Sequence, residues 1–262
     1  MTEVETRHNA SKAFAQEAQR FIRTTVDRPD FALKINTKTS RTDMVTQVDK
    51  AVEQLLAQKI TENFPDDAII GEEFGGSGGR GNYEWVVDPI DGTTNFVYGF
   101  PAYAISIAIR DRRINATVSG VVLDLARERL YEAIVGGGAF ANSIPIQVTE
   151  QSNISNALIA TGFSYSDEMR IDQGRIVAKI IGQIRDIRRA GAASLDLCMV
   201  AAGELDGYYE SGLLPWDFMA GALILEEAGG TVTGGDDDVP TNKMIVATNS
   251  KLHSQLRRLI TI

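Results

Sequence analysis

Apolar residues recur at helical spacing in two stretches of the first sixty residues. One stripe consists of Phe14, Ala18, Phe21 and Ile22. It predicts an amphipathic helix over roughly residues 9–27. A second stripe consists of Val48, Val52, Leu55, Leu56 and Ile60. Thr46 and Asp49 stand before it in the spacing of a capping box, so a helix is expected to begin there, directly after a strand.

The middle of the chain has the pattern of buried strands and short turns. Residues 68–73 (AIIGEE) and 83–88 (YEWVVD) are apolar runs that end in acids. From residue 103, three apolar runs separated by short turns predict an antiparallel meander. The five glycines of FGGSGGRGN, from residue 74, predict an irregular, mobile surface loop. A phosphate-binding loop is the alternative, but the Gly-Lys-Ser/Thr ending of that motif is missing.

Beyond the glycine-marked break at residues 136–148, helical and strand patterns alternate. Helices are expected near residues 167–184, 193–202, 217–228 and 249–260. Strands are expected near residues 157–161, 207–210 and 243–247. We therefore divide the chain into an N-terminal half, residues 1–142, and a C-terminal half, residues 143–262, that share one interface. The C-terminal half is expected to complete a site begun in the N-terminal half.

The composition of the chain argues against several classes of function and partner, and the first is nucleic-acid binding. The chain has 262 residues, with 26 Lys and Arg against 35 Asp and Glu, a net charge of −9 and no basic stripe, so nucleic acid is not an expected partner. The short cluster RDIRR, residues 185–189, is expected to be a solvated helix end or a set of ion-pair partners.

Cys198 is the single cysteine and is expected to be a small buried hydrophobe in a reducing compartment. His8 and His253 are the only histidines and both lie near the chain ends, so neither a histidine-based zinc site nor a Ser-His-Asp triad is expected. It shows neither a leader pattern nor a membrane-length apolar run, so we expect a cytoplasmic protein with no membrane partner.

Acids stand where apolar strands end or helices begin. They are Asp49, Glu72, Glu73, Asp88, Asp91 and Asp217. Carboxylates that converge raise one another's pKa unless a cation lies between them, and an all-oxygen ligand set suits Mg²⁺ or Mn²⁺. In DPIDGTTNF, residues 88–96, the bend at Pro89 can aim Asp88 and Asp91 at one point and free the Ile90 carbonyl. A capped turn without metal explains DPID equally well. The amides of Gly92, Thr93 and Thr94 follow at once and could form an anion-binding nest, which favours a metal-bridged phosphate.

Several motifs in this order resemble the inositol monophosphatase family of Mg²⁺-dependent phosphatases. They are KTSRTDMVTQVD (38–49), GEE (71–73), WVVDPIDGTTNFV (85–97), GAA (191–193), YYESGLLPWD (208–217) and EEAGG (226–230). The resemblance covers nearly the whole chain. It implies an α/β (α+β) fold, the five-layer α-β-α-β-α sandwich of the fructose-1,6-bisphosphatase type, and a homodimer.

The resemblance also implies roles for particular residues. Glu72, Asp88 and the Ile90 carbonyl would hold a first Mg²⁺, and Asp88, Asp91 and Asp217 a second. Glu72 would also help with a weaker third ion. Thr93 and Glu72 would orient the attacking water, with Asp49 behind Thr93. Substrate would be contacted by Gly92, Thr93, Thr94, Ala193, Glu210 and Lys38.

Only one of the adjacent acids Glu72 and Glu73 is expected to be a direct ligand, because neighbours on a strand point to opposite faces. By the family pattern that residue is Glu72. Met219 departs from the alanine usual in the family's WD-x-A context. It could alter packing behind the second metal or at the substrate wall, but it does not remove a ligand.

The resulting expectation is hydrolysis of a sugar or polyol phosphate monoester, foremost myo-inositol monophosphate, by metal-activated water. The alternatives are fructose 1,6-bisphosphate, alone or together with inositol phosphate, and a bisphosphorylated nucleotide. A non-catalytic interaction protein that has kept the fold is the rival from another class.

Overall fold

The structure, a computed structural model, describes residues 1–38 and 43–261. Residues 39–42 of the KTSRTDMVTQVD segment lie outside the described residues. The α-helices of the described part are α1 (Glu3–Val26), α2 (Gln47–Asn63), α3 (Thr93–Tyr98), α4 (Asp167–Ile180), α5 (Ala193–Ala201), α6 (Pro215–Glu227) and α7 (His253–Ile260), and a short 3-10 helix spans Ile154–Asn156. Its strands are β1 (Ile35–Thr37), β2 (Met44–Thr46), β3 (Ala68–Gly71), β4 (Gly75–Ser77), β5 (Tyr83–Asp91), β6 (Ala104–Asp111), β7 (Ala116–Asp124), β8 (Arg129–Ile134), β9 (Ala139–Ala141), β10 (Ile144–Pro145), β11 (Leu158–Thr161), β12 (Asp186–Arg188), β13 (Gly207–Glu210), β14 (Thr231–Thr233) and β15 (Ile245–Thr248).

Two large sheets and three helical layers alternate, and β1 pairs with β2 in a separate two-stranded sheet. The first sheet has eight strands in the order β10-β9-β8-β7-β6-β5-β3-β4 and is antiparallel except where β3 runs parallel to β5. The second has the order β12-β11-β13-β15-β14. Helices α1 and α2 cover the outer face of the first sheet, α5 and α6 lie between the sheets, and α4 and α7 cover the second. This is the predicted five-layer α-β-α-β-α sandwich.

Each sheet is buried on both faces, which explains its nearly continuous apolar strands. On β5, Trp85 and Val87 pack against the outer helices, while Val86 between them packs against the central pair. On β13, Tyr208 faces the central helices and Tyr209 the opposite side. This alternation follows the two-residue period of a strand and links all layers into one packed body.

Three predictions of local structure need correction. Helix α1 begins at Glu3, not near residue 9, because Thr2 and Glu5 form a capping box that the apolar stripe does not reveal. Part of the glycine segment is regular: β4 pairs antiparallel with β3 as an edge strand, since backbone pairing needs no side chain. The RDIRR cluster contains strand β12, not a helix end, although Arg188 does pair with Asp186 at 2.7 Å.

Candidate active site

A cavity of about 530 Å³ lies where the two halves meet. Its walls come from the ends of β3, β5 and β13, from the loop after β11, and from the beginnings of α3, α5 and α6. Most of the residues predicted for the site line it: Lys38, Glu72, Asp88, Ile90, Asp91, Gly92, Thr93, Ala193, Glu210 and Asp217. Thr94 is not among the lining residues. The tertiary fold therefore gathers side chains that are separated by up to 179 positions in the sequence (217 − 38).

The DPID bend is a distortion at the end of a buried strand. All nine residues of β5 are buried, and its register against β6 shifts between Asp88 and Asp91. Pro89 stands inside this irregularity, where its missing N–H costs no ladder bond. Asp88 accepts a hydrogen bond from the Ile90 N–H at 3.0 Å. The irregularity brings both Asp88 and Asp91 to the cavity.

Thr93 connects the cavity to a buried carboxylate. Its hydroxyl lies 2.8 Å from Asp49 Oδ1 and 3.1 Å from the Ile90 carbonyl oxygen. Asp49 is fully buried at the start of α2, where Thr46 holds its other oxygen through the backbone N–H at 3.0 Å and through the hydroxyl. Burial raises the pKa of Asp49, and hydrogen bonds from Thr46 and Thr93 oppose that rise. Asp49 thus lies behind Thr93 and outside the cavity wall.

Lys38 lies between two neighbouring acids. Its Nζ is 2.7 Å from Glu72 Oε1 and 2.5 Å from Glu73 Oε1. Glu72 and Glu73 do not alternate as neighbours on a strand, because β3 ends at Gly71 and both residues belong to the turn that follows. The prediction that they point to opposite faces of a strand is therefore wrong. Glu72 lines the cavity, whereas Glu73 is not among its lining residues. Glu53 secures this turn by accepting the N–H groups of Glu73 at 2.8 Å and Phe74 at 3.0 Å.

Helix beginnings orient two further carboxylates. Asp217, in the first turn of α6, accepts the Leu214 N–H at 2.7 Å. Asp91 Oδ2 accepts the Ser194 N–H at 2.8 Å and the Ser194 hydroxyl at 2.5 Å, at the beginning of α5. Both positions suit an anion, because the N-terminal end of a helix carries partial positive charge.

Glu210 lies at the end of β13, on the opposite wall. Its Oε2 accepts the Tyr208 hydroxyl at 2.6 Å. Gly162 faces it, and a Cβ on Gly162 would lie 1.8 Å from the same oxygen, so a side chain at residue 162 would displace the carboxylate from this position. Burial raises the pKa of Glu210 to about 7, against the opposing effects of Tyr208 and Arg189.

The cavity acids repel one another. Burial and the charges of Glu72, Asp91 and Asp217 raise the pKa of Asp88 far above its ordinary range. Burial, followed by the charge of Asp91, does the same for Asp217. The pKa of Asp91 rises to about 6 through burial, against the hydrogen bonds from Ser194 and the Ala193 N–H. A cation in the cavity would relieve the repulsion among these crowded carboxylates.

The acids are nevertheless held by protein donors. Lys38, Ser194 and the Leu214 N–H bind oxygens of Glu72, Asp91 and Asp217 respectively. Among residues 1–38 and 43–261, no three His, Cys, Asp or Glu side chains are already drawn together as a metal-binding group. A bound cation would therefore have to draw these oxygens together.

The sequence did not reveal several residues of the cavity wall. Phe163, Tyr165 and Arg189 line it, and the Arg189 guanidinium lies 5.8 Å from the centre of the Phe163 ring. They come from irregular segments with no periodic pattern, so no local signal marks them. Ser194 was also missed, because a serine within an apolar run looks like a tolerated polar residue of a helix. Met219 packs against the core between the sheets and is not a lining residue.

Comparison with known proteins agrees with the fold and shows the family. The inositol monophosphatase family model matches residues 3–261, and the chain belongs to this family. An inositol-1-monophosphatase of Mycobacterium bovis is 45% identical over 207 residues, which cover 76% of this chain and 71% of that protein. The Nus factor SuhB of Pseudomonas aeruginosa is 39% identical over 256 residues, covering 95% of this chain and 93% of that protein.

Solved structures show the same architecture. The extragenic suppressor protein suhB of Bartonella henselae has a TM-score of 0.87 and 30% identity, covering 97% of each chain. The inositol monophosphatase of Anabaena has a TM-score of 0.84 and 31% identity, covering 98% of this chain and 96% of that one. Both likenesses extend over all five layers.

Proposed function

We propose that this protein hydrolyses a sugar or polyol phosphate monoester with the help of Mg²⁺, and that myo-inositol monophosphate is its main substrate. The observation that carries the proposal is the convergence of Glu72, Asp88, Asp91 and Asp217 on one cavity. Each shows a pKa raised above its ordinary value by burial. Family membership supports phosphatase activity on a small phosphorylated molecule.

The residues present fit a divalent cation. The donor set is entirely oxygen, as Mg²⁺ prefers and Mn²⁺ accepts, and neither histidine nor cysteine lines the described cavity. Glu72, Asp88 and the Ile90 carbonyl would hold one ion, and Asp88, Asp91 and Asp217 a second. Glu72 could also take part in a third. When bound, Mg²⁺ supplies Lewis acidity toward water and the phosphate oxygens.

The protein's own residues would position the water and the phosphate. Thr93 can accept a hydrogen bond from a water in the cavity while its own hydroxyl donates to Asp49, 2.8 Å away. Glu72 would hold the same water from the other side, with Lys38 limiting the build-up of negative charge. The Gly92 and Thr93 amides at the beginning of α3 would bind the phosphate, and Thr94 would contact it only through its backbone.

Glu210 and Ala193 would contact the substrate's hydroxyl groups. Glu210 is a good acceptor for a polyol hydroxyl, because its position is set by Tyr208 and Gly162. Fructose 1,6-bisphosphate, alone or as a second substrate, is the closest alternative, and a bisphosphorylated nucleotide is another. The exposed Arg189 at the cavity wall offers charge for a second phosphate.

A second candidate function is that of an interaction protein. Relatives similar over almost the whole chain carry the name Nus factor SuhB, among them the Pseudomonas aeruginosa protein. All the proposed metal-binding residues are nevertheless present, which favours catalysis.

No helix in the described residues is long and apolar enough to cross a membrane. We also propose that the protein is a homodimer, as the family resemblance implies. A cytoplasmic location is proposed because the single cysteine, Cys198, is buried and has no disulfide partner.

Phosphate release in the presence of Mg²⁺ tests the proposal. We expect turnover of inositol 1-phosphate to exceed that of fructose 1,6-bisphosphate and to vanish when a chelator removes the metal. Asp91→Asn should lower kcat by orders of magnitude, because it removes a charged ligand. Asp186→Asn, at an exposed carboxylate outside the cavity, is the control and should leave turnover unchanged.

Two results would contradict this proposal. If the wild-type protein released phosphate from none of the polyol, sugar or nucleotide phosphates, the enzyme assignment would fall. Near-normal turnover by a folded D91N protein would remove Asp91 from the metal site.

A further inference from the structure

Ser194 makes two contacts with one oxygen of Asp91. The backbone N–H and the side-chain hydroxyl reach Asp91 Oδ2 at 2.8 and 2.5 Å. The serine is fully buried, so water does not compete for these bonds. Hydrogen bonds to an ionised acceptor in such surroundings are among the strongest in proteins.

The backbone around Ser194 is itself held firmly. Asn95 donates through its side-chain amide to the carbonyls of Ala102 at 2.7 Å and Ala190 at 2.8 Å, which ties the start of α3 to the segment before α5. Gly191 follows with φ of 88°, a conformation that favours glycine. Ser194 therefore approaches Asp91 from a segment anchored across the interface between the two halves.

We propose that Ser194 is a positioning residue that occupies Asp91 Oδ2 and leaves Oδ1 for the cation. The inference rests on the proposed function, since it assumes that Asp91 binds Mg²⁺. An unrestrained carboxylate could rotate and offer either oxygen or both. Two donors on one oxygen restrict that rotation before the metal arrives, so less ordering is needed on binding.

The hydroxyl and the N–H contribute differently. Substitution at residue 194 leaves the N–H in place, so variants isolate the hydroxyl contact. Ser194→Ala removes it altogether. Ser194→Cys keeps a similar volume but replaces the hydroxyl with a weak thiol donor, so packing at the beginning of α5 is largely preserved.

Calorimetric titration of the metal-free protein with Mg²⁺ tests the inference without any substrate. We expect S194A and S194C to weaken Mg²⁺ binding about 10- to 100-fold, the usual effect of losing a residue that orients a metal ligand. The rise in melting temperature on adding a fixed Mg²⁺ concentration should shrink in parallel. Ser119→Ala is the matched control, because Ser119 is also fully buried but bonds to His8 at 2.9 Å, outside the cavity. It should bind Mg²⁺ like the wild type.

The outcomes separate the two proposals. Unchanged Mg²⁺ affinity in folded S194A and S194C would overturn the role of Ser194 while leaving the metal site intact. An equal loss in S119A would also overturn it, since the effect would then be one of general stability. Failure of the wild-type protein to bind Mg²⁺ would overturn the proposed function, and this inference with it.

Discussion

At the scale of single residues, the site is defined by acids whose surroundings differ although their chemistry is the same. Asp49 accepts hydrogen bonds from Thr46 and Thr93, and Asp91 accepts them from Ser194. Glu72 forms an ion pair with Lys38. Glu210 is held by the Tyr208 hydroxyl. The sequence identified these carboxylates and the local capping pair Thr46 and Asp49. It did not reveal a distant partner such as Ser194, which stands 103 positions from Asp91.

The raised pKa of Glu210 predicts a pH-dependent stability. Its pKa rises from 4.5 to about 7 on folding, so in this interval the folded protein keeps a proton that the unfolded chain has released. The resulting stabilisation is complete below the unfolded pKa and is lost as the pH rises through about 7. The side chain introduced by Glu210→Gln cannot titrate, so raising the pH from 5 to 8 should reduce the free energy of unfolding more for the wild type than for E210Q.

Urea unfolding in metal-free buffer measures this difference. Because other acids titrate in both proteins, the comparison isolates the contribution of residue 210. Parallel pH profiles for the two proteins would show that Glu210 is ionised normally in the folded state.

At the scale of elements, local signals located most helices and strands but not their ends. The capping pair Thr46 and Asp49 correctly marked the beginning of α2, because capping is a local interaction. The edge strand β4 was missed, because its regularity depends on pairing with β3 and not on its own glycines. Helix α4 ends at Ile180, earlier than its polar and apolar pattern suggested.

Two glycines in open space predict opposite effects of alanine. Gly174 lies exposed within α4, and apart from its chain neighbours and the backbone of its own helix no atom lies within 4 Å of the position that a Cβ would take. Gly174→Ala should therefore raise the free energy of unfolding by about 0.5–1 kcal/mol through helix propensity. Gly99 is equally open but ends α3 with φ of 69°. Gly99→Ala should therefore cost about 1 kcal/mol in backbone strain.

Chemical denaturation of both variants beside the wild type checks these signs. Since neither new methyl group meets a neighbour, any difference between the variants reflects the backbone alone. A gain in stability for G99A, or a loss for G174A, would contradict the argument.

At the scale of the whole molecule, the site exists only because the layers are held at the right separation. Helix α6 carries Asp217 and packs against β7 of the first sheet, whose neighbouring strands β6 and β5 lead to Asp88 and Asp91. The two layers come very close at Gly120 of β7, where a Cβ would lie 2.6 Å from the Ala220 carbonyl oxygen. The backbones of the two layers therefore touch at a position that excludes any side chain.

Gly120→Ala should force α6 away from the sheet. We expect a loss of about 1–3 kcal/mol in the free energy of unfolding, as for other overpacked cores, together with weaker Mg²⁺ binding because Asp217 moves with the helix. Gly76→Ala on edge strand β4 is the control, since its nearest neighbour would be 3.7 Å away. Equal stability and Mg²⁺ affinity of G120A and wild type would contradict a fixed spacing between these layers.

Several properties of this protein follow from its amino-acid sequence alone: the order of most helices and of the longer strands, the buried strands, the acidic residues at their ends and, through its motifs, the family. These properties are local or are carried by short stretches such as DPIDGTTNF. Three others depend on the tertiary structure: Ser194 holds Asp91, Glu72 and Glu73 share Lys38, and Arg189 reaches the cavity wall. The physical reason is that these contacts join segments far apart in the chain, and their geometry depends on how closely the layers pack.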